Sequence, residues 1–278
     1  MLIAGVAVLS ALIAMLTGFS ADAYSSLAWL WVLPAAFLCA FVLLAVLAFL
    51  VLLFLCKIVD LEKPQNDASR FYRVVTFLYV QAAMGILQMR VHKTGMEKLP
   101  KGRFLLVSNH IHDLDPLVLL VCFRKSQLAF ISKRENSQRT LTGPLMHKIL
   151  CQPINRENDK EALKTILKCI SIIREDKASI AVFPEGYTSM DGLLHPFRPG
   201  VFKIAQKANV PVVVCTLQNT NKAFGNAPKL RPTDVHLHLL EVLSPEEIKA
   251  VTAVELSNRV HQMMADDLGP DLVLKETT

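Results

Sequence analysis

The sequence predicts an α/β fold: a single mixed, largely parallel sheet flanked by helices, preceded by an N-terminal transmembrane helical hairpin. Three observations predict it. Strand-like apolar runs alternate with stretches of helical periodicity through the C-terminal two thirds, which is the pattern of βαβ units. Two of those runs, Phe104–Val107 and Ala178–Phe183, empty into dense polar loops, as strands do at one edge of a parallel sheet. Finally, Met1–Cys56 holds one charged side chain, Asp22, and so apolar a stretch cannot face water.

The hairpin comes first. Met1–Phe19 and Leu27–Cys56 are apolar runs parted by the polar stretch Ser20-Ala21-Asp22-Ala23-Tyr24-Ser25-Ser26, which sets spans at about 2–19 and 27–56 within a hairpin region 1–63. Helices satisfy their own backbone groups in lipid, so two helices and a short turn are the economical arrangement. Trp29 and Trp31 suit the interface beside that turn. A cleaved secretory signal is the alternative, since Ala21 and Ala23 have the right spacing. Against it, no basic segment precedes the first run, and the second run would remain as an anchor. Lys57, Lys63, Arg70 and Arg73 follow the second span while the turn holds Asp22, which orients the C-terminal part toward the cytoplasm. The expected location is an integral membrane protein, in a bacterial plasma membrane, with its active domain on the cytoplasmic face.

The charge balance is +6, from 30 Lys and Arg against 24 Asp and Glu, and without Asp22 of the hairpin the rest of the chain is at +7. A basic domain is drawn to anionic lipid. Nucleic acid is the rival partner, but the chain has no zinc-finger spacing, RNA-binding aromatic motif or convincing recognition helix, so none is expected. The 6 cysteines are scattered through apolar runs without a C-x-x-C pair, which predicts free, buried thiols in a reducing compartment.

Pro64–Ser69 is a short polar linker, and Arg70–Val91 has helical spacing of Phe71, Val74, Val75, Leu78, Tyr79, Ala82, Ile86 and Leu87. This makes 64–92 an amphipathic linker helix, lying on the membrane surface or packed on the globular part. The α/β domain then spans 93–278. Strands are predicted at Phe104–Ser108, Leu128–Ser132, Ala178–Phe183, Val212–Leu217 and Val235–Val242, with Gln152–Arg156 as an edge segment. Helices are predicted from Pro116 to about Phe123, over Gly143–Leu150, Lys160–Arg174 capped by Asn158 or Asp159, Val201–Ala208, and Thr252–Asp267. There is no internal repeat.

The chemistry concentrates in Ser108-Asn109-His110-Ile111-His112-Asp113-Leu114-Asp115-Pro116. A histidine can take a proton from an alcohol near neutral pH, and a carboxylate on its other nitrogen fixes the tautomer and steadies the imidazolium. His110 and Asp115 can do this across a tight turn, with Asn109 bracing the loop. No serine or cysteine nucleophile is evident beside His110, which suits direct activation of a substrate hydroxyl. The second loop, Pro184-Glu185-Gly186-Tyr187-Thr188-Ser189, supplies recognition. Glu185 can accept hydrogen bonds from a polyol, and Gly186 with the following amides can form an anion-binding concavity. Arg156 is a candidate phosphate clamp. A metal is the competing reading of His110, His112, Asp113 and Asp115, with His236 and His238 on one strand face. Leu114 stands where H-x-H-x-D-H would need its aspartate, and no metal or other cofactor is expected.

Taken together, four segments resemble the 1-acyl-sn-glycerol-3-phosphate acyltransferase family. Asn109-His110-x-x-x-x-Asp115 is similar to its first motif and Pro153-Ile154-Asn155-Arg156 to its second. Phe183-Pro184-Glu185-Gly186-x-x-Ser189 is similar to the third, followed by Asp191-Gly192 and Pro196-Phe197-Arg198-Pro199-Gly200, and Val210-Pro211-Val212-Val213 to the fourth. Lys133 and Glu135 fit the lysine-rich stretch between the first two, and the resemblance covers about Lys93 to Val242. It implies a glycerolphosphate acyltransferase-like fold and an acyl transfer in phospholipid biosynthesis, from acyl-CoA or acyl-carrier protein to a lysophospholipid, on a membrane. His110 would be the base and Asp115 its orienter. Asn109, Lys133, Arg156, Glu185, Gly186 and Ser189 would serve the substrate site. One departure stands out. Tyr187 and Thr188 occupy the places of the family's usual threonine and arginine, and that arginine normally helps hold the acceptor phosphate. Arg198, Lys203 or Lys133 could take its place. Phosphatidate formation from lysophosphatidate is the expected activity. Another lysophospholipid or glycerol 3-phosphate as acceptor, a lipid-binding homologue without turnover, and a metal-dependent hydrolase are the alternatives.

Overall fold

The computed structural model describes residues 1–189 and 191–274. The chain forms two compact units, Met1–Glu62 and Lys63–Thr278.

The first unit is a pair of apolar helices, Leu2–Ser20 and Trp29–Lys57, with mean hydropathies of 2.3 and 3.3. At 1.5 Å per residue they are about 28 and 44 Å long, so each is long enough to cross a membrane. Ser10, Ala14 and Gly18 are the buried residues of the first helix. Their four-residue spacing puts small side chains on one face, where two backbones can approach closely. A Cβ at Gly18 would lie 2.6 Å from Leu33 Cδ2, so the Leu33 side chain on the second helix would have to shift to admit one.

The second unit is built on a seven-stranded sheet in the order β1-β7-β6-β2-β5-β3-β4. The strands are β1 Met89–Thr94, β2 Leu105–Ser108, β3 Leu128–Lys133, β4 Gln152–Ile154, β5 Ser179–Val182, β6 Val212–Gln218 and β7 Thr233–Leu243. Every neighbouring pair is parallel except β6 with β7. The sheet is mixed and mostly parallel, as the alternating pattern predicts. β2, β5 and most of β6 are fully buried, the mark of strands covered on both faces. One core layer gathers Leu105, Val107, Ile180, Phe202 and Val260, and the other Phe104, Leu106, Phe123, Val213 and Leu237.

The expected linker segment 64–92 is corrected in two ways. Its helix is Arg70–Ile86, capped by the Ser69 hydroxyl, and Val80 and Met84 are buried in the same core layer as Phe104. It is part of the domain rather than a linker. The helix stops before Val91 because Gln88 takes φ +51° and the chain turns into β1. The domain boundary at residue 93 therefore cuts through an edge strand. That strand has no apolar run to announce it, only Met89 and Val91 half-buried between exposed Arg90 and His92. The predicted helix Val201–Ala208 is a 3₁₀ turn, Pro199–Phe202, leading into a short α-helix, Lys203–Ala208. The Asp159–Arg174 helix is capped by Asn158, whose side chain accepts from Lys160 and Glu161 amides.

The topology positions the site. β2 lies between β6 and β5, and β3 and β4 continue in parallel beyond β5, so all five end at one edge. Loops separated by about seventy residues in sequence thereby become neighbours.

Candidate active site

At that edge the backbone of His110 is clamped from two sides. Its N–H donates to Glu185 Oε1 at 2.7 Å. Its carbonyl accepts from the Ser189 N–H at 2.8 Å and from the Ser189 hydroxyl at 2.9 Å. The imidazole stacks on Phe183 with centroids 4.0 Å apart and planes 16° from parallel. The loop after β5 therefore fixes both the main chain and the ring of His110.

Asp115 is completely buried at the start of the Asp115–Cys122 helix. Its Oδ2 lies 2.9 Å from His110 Nδ1 and accepts the N–H groups of Ile111 and His112, each at 2.8 Å. Its Oδ1 accepts the Thr220 hydroxyl. An ionised carboxylate only accepts hydrogen bonds, so this network assigns the proton to His110 Nδ1 and leaves Nε2 as the free base. Nε2 is 3.0 Å from the Thr188 hydroxyl, which also has Asp113 Oδ1 at 3.4 Å. With Asp115 committed to four protein donors, His110, His112, Asp113 and Asp115 do not close on a cation. Among the described residues no cluster of three or more His, Cys, Asp or Glu is arranged to hold one.

Three of the residues expected at the substrate brace the loops in this structure. Asn109 is buried and forms a reciprocal pair with Leu217, donating to its carbonyl at 2.9 Å and accepting from its N–H at 2.7 Å. This pins the end of β2 to β6. Ser189 is buried and spends its hydroxyl on His110. Glu185 is 1% exposed, and its two oxygens accept the amides of His110 and, at 3.2 Å, His195. It presents no open oxygen to a polyol. Burial pushes its carboxyl up to about 8, against the pull of those two amides, and the nearby Asp115 and Asp191 push the same way.

Gly186 does not form the expected anion nest, because its N–H closes a turn onto the Phe183 carbonyl at 3.1 Å. Its role is space. It has φ +84°, and an added Cβ would lie 2.8 Å from Arg198 Nε. Arg198 thus lies across the glycine of the motif loop. Arg156, after β4, is half-buried, and its pKa is lowered first by burial and then by the neighbouring Arg198. Glu135 acts against that lowering. Two guanidinium groups that feel each other's charge make this part of the edge attractive to an anion. Lys133 ends β3, is largely exposed, and lies 3.4 Å from Glu135. It belongs to the basic rim rather than to the His110 network.

Sequence reasoning missed Thr220 and Leu217, whose contacts depend on strand order, and His195, whose backbone amide reaches Glu185 within the loop after β5. It noted Thr188 only as a missing arginine. The signal was present in a hydroxyl on the same loop as Glu185, once that loop is placed beside His110.

Comparison with known proteins agrees with this geometry. Residues 90–218 match the family model described as Acyltransferase. The chain is 30% identical over 177 residues to a probable 1-acyl-sn-glycerol-3-phosphate acyltransferase of Mycoplasma pneumoniae, covering 62% of this chain and 64% of that protein. It is 26% identical over 211 residues to the 1-acyl-sn-glycerol-3-phosphate acyltransferase of Saccharomyces cerevisiae, covering 73% of this chain and 68% of that one. The fold is similar to that of the Thermotoga maritima 1-acyl-sn-glycerophosphate acyltransferase PlsC, with a TM-score of 0.55, 23% identity, and 76% and 86% of the two chains covered. Over residues 90–218 the chain is thus similar to the acyltransferase family, and to relatives that carry the name 1-acyl-sn-glycerol-3-phosphate acyltransferase.

Proposed function

We propose that this protein is a membrane-bound O-acyltransferase that moves a fatty acyl group from acyl-CoA or acyl-carrier protein to the sn-2 hydroxyl of 1-acyl-sn-glycerol 3-phosphate, giving phosphatidate. The observation that carries the reading is His110, with Nδ1 held by Asp115 and Nε2 facing a hydroxyl at 3.0 Å. Nε2 accepts the proton of the acyl-accepting hydroxyl as its oxygen attacks the thioester carbonyl, and returns it to the departing thiolate. Asp115 steadies the imidazolium between those steps. The acyl donor, of either kind, is a substrate, and no cofactor takes part. Arg156 and Arg198 bind the acceptor phosphate, with Lys133 at the rim. Arg198 thereby replaces the arginine that Thr188 displaces. Glu185, Asn109 and Ser189 position His110 rather than touch substrate. The apolar helices anchor the protein beside its lipid acceptor, and the basic residues from Lys57 to Arg73 support a cytoplasmic site in a bacterial plasma membrane.

The test uses the full chain in detergent with lysophosphatidate and either donor. His110→Ala is expected to lower the rate by about 10²–10⁴-fold in a protein that remains folded. Full activity in that variant, or no thioester consumption by the wild type with either donor, sinks the reading. A panel containing glycerol 3-phosphate and other lysophospholipids tests the acceptor, since Thr188 alters the phosphate side of the site.

Gly186→Ala tests Arg198. The left-handed backbone costs an alanine about 1–2 kcal/mol, and the added methyl pushes the guanidinium aside. KM for the acceptor should rise more than kcat falls. An unchanged KM would remove Arg198 from the acceptor site.

A further inference from the structure

We infer that Tyr187 binds the acceptor's phosphate through its phenol, and that His195 and Asp191 position the phenol for this by holding one extra proton while the acceptor is bound. This rests on the reading of Arg156 and Arg198 as the phosphate-binding pair, and it adds a selective residue to that side of the site.

Tyr187 Oη lies 2.9 Å from His195 Nδ1, and His195 Nε2 lies 3.0 Å and 2.9 Å from the two oxygens of Asp191. The Tyr187 and His195 rings meet edge to face. Tyr187 and Asp191 are each about half exposed, while the imidazole between them is largely buried. Burial acts to raise the Asp191 carboxyl, but the Leu193 amide and His195 outweigh it and hold it below its ordinary value, so it is an anion. An ionised carboxylate only accepts, which puts a proton on His195 Nε2 and leaves two states for the other contact. With a neutral ring, Nδ1 accepts the phenol hydrogen, and Asp191 leaves one net negative charge here. With a protonated ring, Nδ1 donates to the phenol oxygen, the phenol hydrogen is free to turn outward, and the His195–Asp191 pair is neutral overall.

The second state is the one that suits a phosphate. A phosphate monoester carries a charge of about −1.5 to −2 near pH 7, and its ionised oxygens are strong acceptors. The neutral-ring state meets it with an uncompensated carboxylate and a phenol whose hydrogen is already engaged. Binding therefore draws one proton from solvent onto His195 Nδ1, and no covalent bond is made or broken. The placement agrees. Tyr187 stands between Gly186, over which Arg198 lies, and Thr188, which contacts His110. An acceptor whose phosphate is at Arg198 and whose hydroxyl is at His110 has to cross the same stretch. The His195 amide donates to Glu185 Oε2 at 3.2 Å and the Arg198 amide to the Pro184 carbonyl at 2.8 Å, so one strap carries both residues across the loop. The titratable and charged groups around His195 are Asp191, Tyr187 and Glu185 of this loop and Arg198 of the strap. Beyond these, His261 packs on Phe197, and the turn Pro270–Leu272, bonded to Leu194, carries the exposed Asp271.

The test measures KM for lysophosphatidate from about pH 6 to about pH 9, a range in which histidine changes charge, with the full chain in detergent. Wild type is compared with His195→Gln and Tyr187→Phe. Both variants keep the backbone amide that Glu185 accepts, and Tyr187→Phe alters only a half-exposed ring, so it reads the site even if His195→Gln loosens the strap. Wild-type KM should rise with pH faster than that of His195→Gln, by up to about tenfold per pH unit for one linked proton. The acceptor's phosphate and the groups around His110 change charge alike in both proteins, so the ratio of the two KM values isolates His195. Tyr187→Phe should raise KM at the acid end by more than it lowers kcat. It should approach wild type at the alkaline end, where the wild-type phenol hydrogen is engaged by His195. A KM ratio that stays flat with pH, or a Tyr187→Phe penalty that is equal at every pH, overturns the proposal and leaves lysophosphatidate as the acceptor. A pH-dependent ratio found with another phosphate-headed lipid, where lysophosphatidate is not turned over, sinks that acceptor and leaves the role of Tyr187 standing. Turnover of no phosphate-headed acceptor sinks both.

Discussion

Asp115→Asn is expected to lower kcat/KM by about 10³–10⁴-fold, among the largest losses a single atom exchange can cause here. The substitution preserves shape but adds a donor to a group surrounded by four donors. The ring can then no longer hold its proton on Nδ1 against a carboxylate. In the other tautomer, Nε2 carries a proton and cannot accept one. The loop loses support as well, since an Asn N–H₂ turned toward the Ile111 and His112 amides leaves them unpaired at a cost of about 1–3 kcal/mol for each. Thr220→Val provides the contrast. It removes one donor from the far oxygen and leaves the tautomer alone, so the rate should fall by about tenfold or less. Steady-state kinetics and thermal denaturation of the two variants check this. Equal losses in both would mean that Asp115 acts by packing rather than through His110.

Glu185 should give the largest pH effect on stability. Its folded-state pKa is pushed up to about 8 by burial, and in the unfolded chain it returns to the ordinary carboxylate value of about 4.3. Between those values the folded protein keeps a proton that the unfolded chain has lost. This group's contribution is fully present below about pH 4.3 and is lost as pH rises through about 8, at up to about 1.4 kcal/mol per pH unit. Glu185→Gln cannot titrate, so it lacks that slope. Its amide faces one backbone N–H with a donor, which costs about 1–3 kcal/mol. The variant should be less stable than wild type near pH 5, and the gap should close or invert by pH 9. Urea unfolding in detergent across that range measures it. A constant difference between the two proteins would mean that Glu185 is already ionised throughout.

The sequence was most legible where one strand carries its whole signal. The buried strands β2, β5 and β6 are continuous apolar runs, and both motif loops start where those runs stop. β1 was hidden because an edge strand needs only alternating half-burial, and Met89–Thr94 begins just after the Arg70–Ile86 helix, whose apolar periodicity runs on into it. Within the site, residue types pointed to the base and its carboxylate, since the pair lies five residues apart. The partners of that pair were not readable. Thr220 is 105 positions from Asp115 and reaches it only because β6 flanks β2. Glu185 misled for a physical reason: an acid on a motif loop looks like a ligand for substrate until its two oxygens are found on backbone amides. Thr188 misled in the opposite sense, as a vacancy where a hydroxyl stands against the base.

The clamp on His110 also separates two kinds of evolutionary freedom. The N–H groups of residues 110, 111 and 112 are all spent on Glu185 and Asp115, so the geometry of proton transfer is set by these two acids together with Ser189, Phe183 and Thr220. Arg156, Arg198, Lys133 and Tyr187 lie outside that scaffold and can be exchanged without disturbing it. A lineage with this loop can therefore retune which headgroup it accepts by drift at the rim, while the reacting centre is inherited unchanged.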